Sequence, residues 1–215
     1  MAERVTFASS TGPRLAGLVD LPDSAIRGWG VFSHGFTLGK DSPAASRICK
    51  QLASDGIGML RFDALGLGDS EGDWGDGSFT VKVNDVVKAC EFMADRGTPA
   101  DILVGHSFGG AAVLAAAPSS PRVRAVVTVA APVEPSHVEA HYDAVVDRAI
   151  SDDSAQWMVG GRTLTLKRAF VAPPYKRSSE VLFSEVPGSP MVRRTASPVH
   201  ARCVCPWRAS TTRQR

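Results

Sequence analysis

The sequence predicts an α/β fold, a mostly parallel sheet with helices on both faces. Three observations carry this. Short apolar runs alternate along the chain with segments of helical periodicity. Those runs are apolar on successive residues, as strands covered on two sides must be. The chain has 215 residues, 44% of them hydrophobic and 21% charged, which suits a soluble α/β domain with a substantial core.

The elements follow in order. Arg4–Ala8 and Arg14–Asp20 are strand-like, and Ser-Ser-Thr-Gly-Pro between them is hairpin chemistry, so the sheet opens with an antiparallel edge. Gly30–His34 is a third strand, ending in a His34-Gly35 turn. Ala44, Ala45, Ile48, Cys49 and Leu52 recur at helical spacing, and Gly56 stops that helix. Ile57–Phe62 is a buried strand, followed by a glycine-rich loop from Gly66 to Gly77. Val83, Val86, Val87, Cys90 and Met93 mark an amphipathic helix ending near Gly97. Asp101–Gly105 is a strand, Gly109–Ala117 a helix of small residues, and Val123–Val129 another buried strand. No internal repeat is visible.

After Pro135 the pattern changes. Ser136–Glu139 spells a capping box, and Val138, Tyr142, Val145 and Ile150 form a helix stripe. Trp157–Leu166 reads as a hairpin around Gly160-Gly161. The expected layout is a core over residues 1–172, with a small helix-and-hairpin insertion at about 135–170 lying over the top of the sheet. Residues 173–215 hold six prolines and only seven Leu, Ile, Val or Phe in 43 positions. That is too little apolar surface to fold, so this stretch is expected to be a disordered or out-of-frame tail.

The net charge of +2 hides an asymmetry. Residues 1–160 carry 13 basic and 20 acidic residues, whereas 161–215 carry 11 and 2. A nucleic-acid surface would need regularly placed aromatics or a recognisable module, and the tail has neither, so no nucleic-acid partner is expected. The N-terminus lacks an apolar signal core and no 18-residue apolar run exists. A cytoplasmic chain without membrane contact is the expectation; the oligomeric state is open. Cys49 and Cys90 lie on apolar helix faces as buried free thiols. Cys203-Val-Cys205 is too closely spaced for a metal knuckle and has no second pair, so no metal site is expected.

The chemistry centres on Gly105-His106-Ser107-Phe108-Gly109, a G-x-S-x-G pattern between a strand and a helix. A serine on so tight a turn needs neighbours without side chains two positions away on each side. The helix that opens there aims its first N–H groups at developing negative charge. His34-Gly35-Phe36 follows the third strand, where a second backbone amide must enter to complete an oxyanion hole; the two donors are the amides of Phe36 and Phe108. The loop Arg61–Gly72 follows the fourth strand and shapes the wall of the site. It is not a dinucleotide fingerprint, because Glu71 occupies the third glycine position and no helix opens at it. Ala111, Ala112 and Ala115 let the nucleophile helix pack close to the sheet.

Together these residues resemble the α/β-hydrolase family, in its serine-hydrolase branch with His-Gly and G-H-S-x-G-G. They are similar to S33-type peptidases and small esterases, and to hydrolase domains found fused to OsmC-like domains. The resemblance covers roughly residues 1–172. It implies Ser107 as nucleophile, Phe36 and Phe108 as oxyanion donors, and His34, Gly35, Gly105, His106 and Gly109 as the elbow and oxyanion loop. It implies acyl transfer from a small-molecule ester or peptide, with no cofactor.

The departure from the family lies at the other end of the chain. The family places an acid and then a late histidine after the serine. No Asp follows Asp153, and the only later acids are Glu180 and Glu185. His200 is the only late histidine, with no strand or glycine turn around it. Glu134, just after the sixth strand, is the alternative acid. His137 and His141 lie one helical turn apart, lack a third metal ligand, and read as surface positions on the insertion. The expectation is a serine hydrolase that is weak or inactive as written; the alternative is a truncated hydrolase fragment or binding module that keeps only the elbow. A reading frame lost near residues 172–174 explains the tail. Translating the other two frames of the coding DNA beyond that point is expected to yield a Gly-x-x-Asp turn and then a late Asp-His, and two frames without them would refute the frameshift.

Overall fold

The computed structural model describes residues 1–133 and 141–171. Its main sheet has six strands: β1 (Ala2–Ala8), β2 (Arg14–Asp20), β3 (Gly28–Ser33), β4 (Ile57–Phe62), β5 (Ile102–His106) and β6 (Ala125–Val129). They lie in the order β1-β2-β4-β3-β5-β6. The opening hairpin pairs antiparallel with full register from Ala2↔Asp20 to Ala8↔Arg14, and β2 pairs antiparallel with β4. The β4-β3, β3-β5 and β5-β6 pairs are parallel.

Helices α1 (Pro43–Ser54), α2 (Phe79–Asp95) and α3 (Phe108–Ala116) connect these strands. Alternation along the strands divides the core between the two faces. Val31, Leu60 and Leu103 point into the cluster that α2 and α3 cover, with Val86, Met93 and Ala112. Their chain neighbours Phe32, Met59 and Val104 point into the cluster that α1 covers, with Ala45 and Cys49. Each buried aliphatic contributes about 1.5–3 kcal/mol on leaving water.

Consecutive parallel strands β3 and β4 lie to one side and β5 and β6 to the other, so the strand order reverses beside β3. A crevice opens at the C-terminal ends of β3 and β5, the place where sheets of this kind bind ligands. The loops after those two strands hold the His-Gly turn and Ser107.

A second region follows. Helix α4 (Asp143–Ser151), the hairpin β7 (Ser154–Val159) and β8 (Arg162–Lys167), and the short α5 (Arg168–Val171) pack together. Register Trp157↔Leu164 and Val159↔Arg162 centres the hairpin on Gly160-Gly161, as the sequence indicated. Tyr142, Val145, Trp157 and Leu166 form one buried cluster with Leu67, Trp74 and Phe108 of the sheet region. The expected capping box, with Glu134 and His137, lies outside the described residues.

Two expectations need correction. The strand read as buried over Val123–Val129 is not: no residue of β6 is buried, and it lies at the edge of the described sheet with Val127 44% and Val129 40% exposed. Its apolar run has the composition of a covered strand, but among the described residues no strand or helix covers its outer side. The second correction concerns α2. Its buried face carries Lys82 and Asp85 beside Val86, Ala89 and Met93, not the purely apolar stripe expected.

An exposed apolar edge templates strand pairing between molecules. The chain is expected to self-associate in light scattering at neutral pH. Val127→Lys with Val129→Lys is expected to shift it toward monomer; a sharply melting soluble monomer in the unaltered chain would contradict this.

Candidate active site

Ser107 sits between β5 and α3 with φ 51° and ψ −123°. A non-glycine residue there stores backbone strain of roughly 1–3 kcal/mol, held only by what surrounds it. The surroundings are glycine. A Cβ on Gly105 would lie 2.4 Å from the Gly109 carbonyl oxygen, and one on Gly109 would lie 2.2 Å from the Ser33 carbonyl oxygen. Side chains at either position would push α3 off the ends of β3 and β5. The Ser107 N–H donates to the Val129 carbonyl at 2.8 Å, and its own carbonyl accepts from Gly110 N–H at 2.8 Å.

The loop after β3 comes to the same place. A Cβ on Gly35 would lie 3.4 Å from Ser107 Cβ and 3.1 Å from His106 Nδ1. The Phe36 and Phe108 rings meet edge to face at 5.4 Å. Among the described residues neither the Phe36 nor the Phe108 amide has a hydrogen-bond acceptor. Paired N–H groups are the rule in protein interiors, so two free ones beside one serine mark a place prepared for an acceptor.

A buried ionic frame fixes this loop. Lys40 Nζ donates to Asp63 Oδ2 and Asp69 Oδ2, each at 2.7 Å, and Lys40 N–H donates to Asp63 Oδ1 at 2.7 Å. Arg61 Nε donates to Asp20 at 2.7 Å while its Nη1 donates to the Lys40 carbonyl at 2.7 Å. Burial opposes the Lys40 charge, but its bonds to Asp63 and Asp69 outweigh that and raise its pKa. The glycine loop wraps the same carboxylate: a Cβ on Gly68, whose φ is +54°, would lie 2.1 Å from Asp63 Oδ2.

His34 is buried, and both its ring nitrogens are engaged. Nδ1–H donates to the Gly35 carbonyl at 2.7 Å, and Nε2 accepts from Ala64 N–H at 3.0 Å. Burial, then the Lys82 charge, hold its pKa well below the usual histidine value, so it stays neutral. It ties the loop after β3 to the loop after β4 and has no free nitrogen for Ser107. His106 is half-buried, and its Nδ1 has no partner. His141 is exposed and stacks on Phe36 at 6.2 Å. Among the described residues no side chain hydrogen-bonds to the Ser107 hydroxyl. Glu134, His137, Glu180, Glu185 and His200 lie outside the described residues. No three His, Cys, Asp or Glu side chains among the described residues converge on a metal-sized site.

Two features escaped the sequence reading. One is an aromatic cluster centred on Phe36, whose ring lies 5.6 Å from Trp74, 5.9 Å from Tyr142 and 5.9 Å from Trp157. The other is Lys82, which is buried and lines a cavity of about 40 Å³ together with His34, Gly35, Phe36, Trp74 and Phe108. The spacing 82, 85, 86, 89 and 93 would have revealed it, had polar residues been admitted to the stripe. Burial lowers the Lys82 pKa to about 8, partly opposed by Asp85.

A six-stranded sheet in this order, with a serine on the strand-to-helix turn at its switch point, defines an α/β hydrolase. The family model for serine aminopeptidases, S33, matches residues 24–166, and the chain belongs to that family. The esterase domain of a Rhodothermus marinus protein is 34% identical over 80% of this chain and 66% of its own, with a TM-score of 0.56. The α/β hydrolase GrgF from Penicillium sp. sh18 is 24% identical over 76% of this chain and 61% of its own, with a TM-score of 0.60. Est1E from Butyrivibrio proteoclasticus, solved with ferulic acid bound, is 19% identical over 74% of this chain and 66% of its own, with a TM-score of 0.57. The chain thus spans about two thirds or less of these structures' lengths. No curated protein matches it.

Two outcomes are expected. Gly109→Ala destabilises by about 1–3 kcal/mol in denaturant melts, because its methyl group meets backbone that cannot yield; an unchanged melt would contradict the close approach. Lys82→Met stabilises by about 3 kcal/mol below pH 8, because the unfolded chain holds the Lys82 proton more tightly than the folded one. That advantage shrinks as pH rises from about 8 toward 10.5, where the lysine is neutral in both states. Equal stabilities of the two proteins at pH 7 would contradict the burial.

Proposed function

We propose that the chain carries the nucleophile and oxyanion half of a serine ester hydrolase. Ser107 Oγ would attack the carbonyl of a small ester once a base takes its proton. The amides of Phe36 and Phe108 hold the oxygen that becomes negative, and water later releases the acyl group. The observation that supports this most is the pairing of a strained, glycine-flanked Ser107 with two unpartnered amides beside it. The esterase domain that is 34% identical to this chain favours an ester over a peptide.

The weak point is the proton. A serine hydroxyl needs a base, and both ring nitrogens of the buried His34 are spent on Gly35 and Ala64. The late Asp and His expected of the family have no counterpart in the sequence pattern. Removal of the base alone costs about as much as removal of the whole triad, on the order of 10⁶ in turnover. What remains is the oxyanion hole and binding, worth roughly 10³ to 10⁴ over water. A second reading, a binding module that keeps the elbow without turnover, is favoured by a Ser107 hydroxyl that has no hydrogen-bond partner among the described residues.

Hydrolysis of a short-chain nitrophenyl ester decides how far the chain falls below a working esterase. Turnover within roughly 10⁴ of the water rate, little changed by Ser107→Ala, is the expected outcome. Esterase-level turnover abolished by Ser107→Ala would overturn the inactive reading and keep the hydrolase one.

A further inference from the structure

Lys82 has no role in the chemistry above, yet its position is costly and specific. It is 7% exposed and lines the cavity beside the oxyanion loop. Among the described residues its ammonium makes no hydrogen bond and no ion pair. Asp85, one turn on and lining the same cavity, does not serve it. Asp85 Oδ1 already accepts from Ser9 Oγ at 2.9 Å, Ser10 N–H at 2.7 Å and Ser10 Oγ at 2.8 Å. Buried ammonium groups are almost always paired, because an unpaired charge away from water is expensive.

The cavity is next to the reacting position. Phe108 follows Ser107 in sequence, and Gly35 approaches Ser107 closely; both form its wall. Phe36 and Trp74 supply apolar surface to the cavity that Lys82 lines. Resting on the ester-hydrolase reading, we propose that this cavity is a subsite for a free carboxylate on the substrate, bound by the Lys82 ammonium. The ligand class is a monoester of a short dicarboxylic acid, with its ester carbonyl at Ser107 and its free acid at Lys82.

Charge and size select this class. The cavity of about 40 Å³ holds the equivalent of about three waters, enough for the three heavy atoms of a carboxylate and too little for a phosphate with its shell. Lys82 supplies a single positive charge, and Asp85 beside it repels a dianion. His34 adds nothing, being neutral with both nitrogens bonded. The apolar rings suit the methylene chain between the two carbonyl groups.

The groups that set the pH response are few. Lys82 and Asp85 come from α2 and His34 from the end of β3; His106 acts on His34 from β5. The His34 pKa is held low, so its charge does not change above neutral pH. Lys82 loses its proton near pH 8, so carboxylate binding is strong at pH 7 and fades toward pH 9.

Calorimetric titration of the full chain with monomethyl glutarate and with dimethyl glutarate tests the subsite without requiring turnover. The monoester is expected to bind about tenfold or more tightly than the diester at pH 7, as one charged hydrogen bond in a dry site provides. Lys82→Met and Lys82→Gln are expected to erase that preference while leaving diester binding unchanged, with thermal melts confirming that both variants fold. Absence of the preference in the unaltered chain, or its survival in a folded Lys82 variant, overturns the proposal. Ser107→Ala is carried in parallel: retention of the preference there supports a subsite independent of the nucleophile, and its loss overturns the independence. Phosphonate labelling of Ser107 reports the hydrolase reading separately, so failure of one is not mistaken for failure of the other.

Discussion

The site depends on two missing side chains. Gly105 and Gly109 let the first turn of α3 lie against the carbonyl ends of β3, within a distance no Cβ tolerates. Every other feature of the site follows from that approach. It accompanies the positive-φ conformation of Ser107 and brings Gly35 alongside. The strain at Ser107 is held by the sheet behind it, through the bond to Val129 and the Lys40–Asp63–Arg61 frame that anchors the loop after β3.

The local parts of this arrangement were legible in the sequence because their causes are local. G-x-S-x-G encodes a turn, and the neighbouring runs encode the strand and helix it joins. The hairpin at Gly160-Gly161 was legible for the same reason. Exposure of β6 was not, because an apolar strand has the same composition whether or not a neighbour covers it; burial is a property of what lies beyond it. Lys82 was missed because lysine is ordinarily a solvent residue and was left out of the stripe, although its spacing with Val86, Ala89 and Met93 puts it on the buried face of α2. The aromatic cluster around Phe36 joins it to Trp74 and, more than a hundred positions on, to Tyr142 and Trp157, distances at which no periodicity speaks.

The two buried lysines show opposite uses of one residue type. Lys40 is surrounded by carboxylates and its charge is secured, so it stabilises the oxyanion loop. Lys82 is buried without such partners, and its lowered pKa records a charge that the fold tolerates at a loss. A group that weakens the fold at neutral pH while facing the cavity beside the active serine fits a role in ligand contact. Lys40 secures a loop through its carboxylate partners, whereas Lys82 lines the cavity.

The central proposal is that the fold prepares Ser107 but that no base among the described residues activates it. The pH profile of Ser107 phosphonylation by a fluorophosphonate tests this most directly. Without a base, the rate is set by the serine's own ionisation and climbs with hydroxide through neutral and alkaline pH without levelling. A rate that levels above an inflection near neutral pH would reveal a histidine acting on Ser107 and contradict the account.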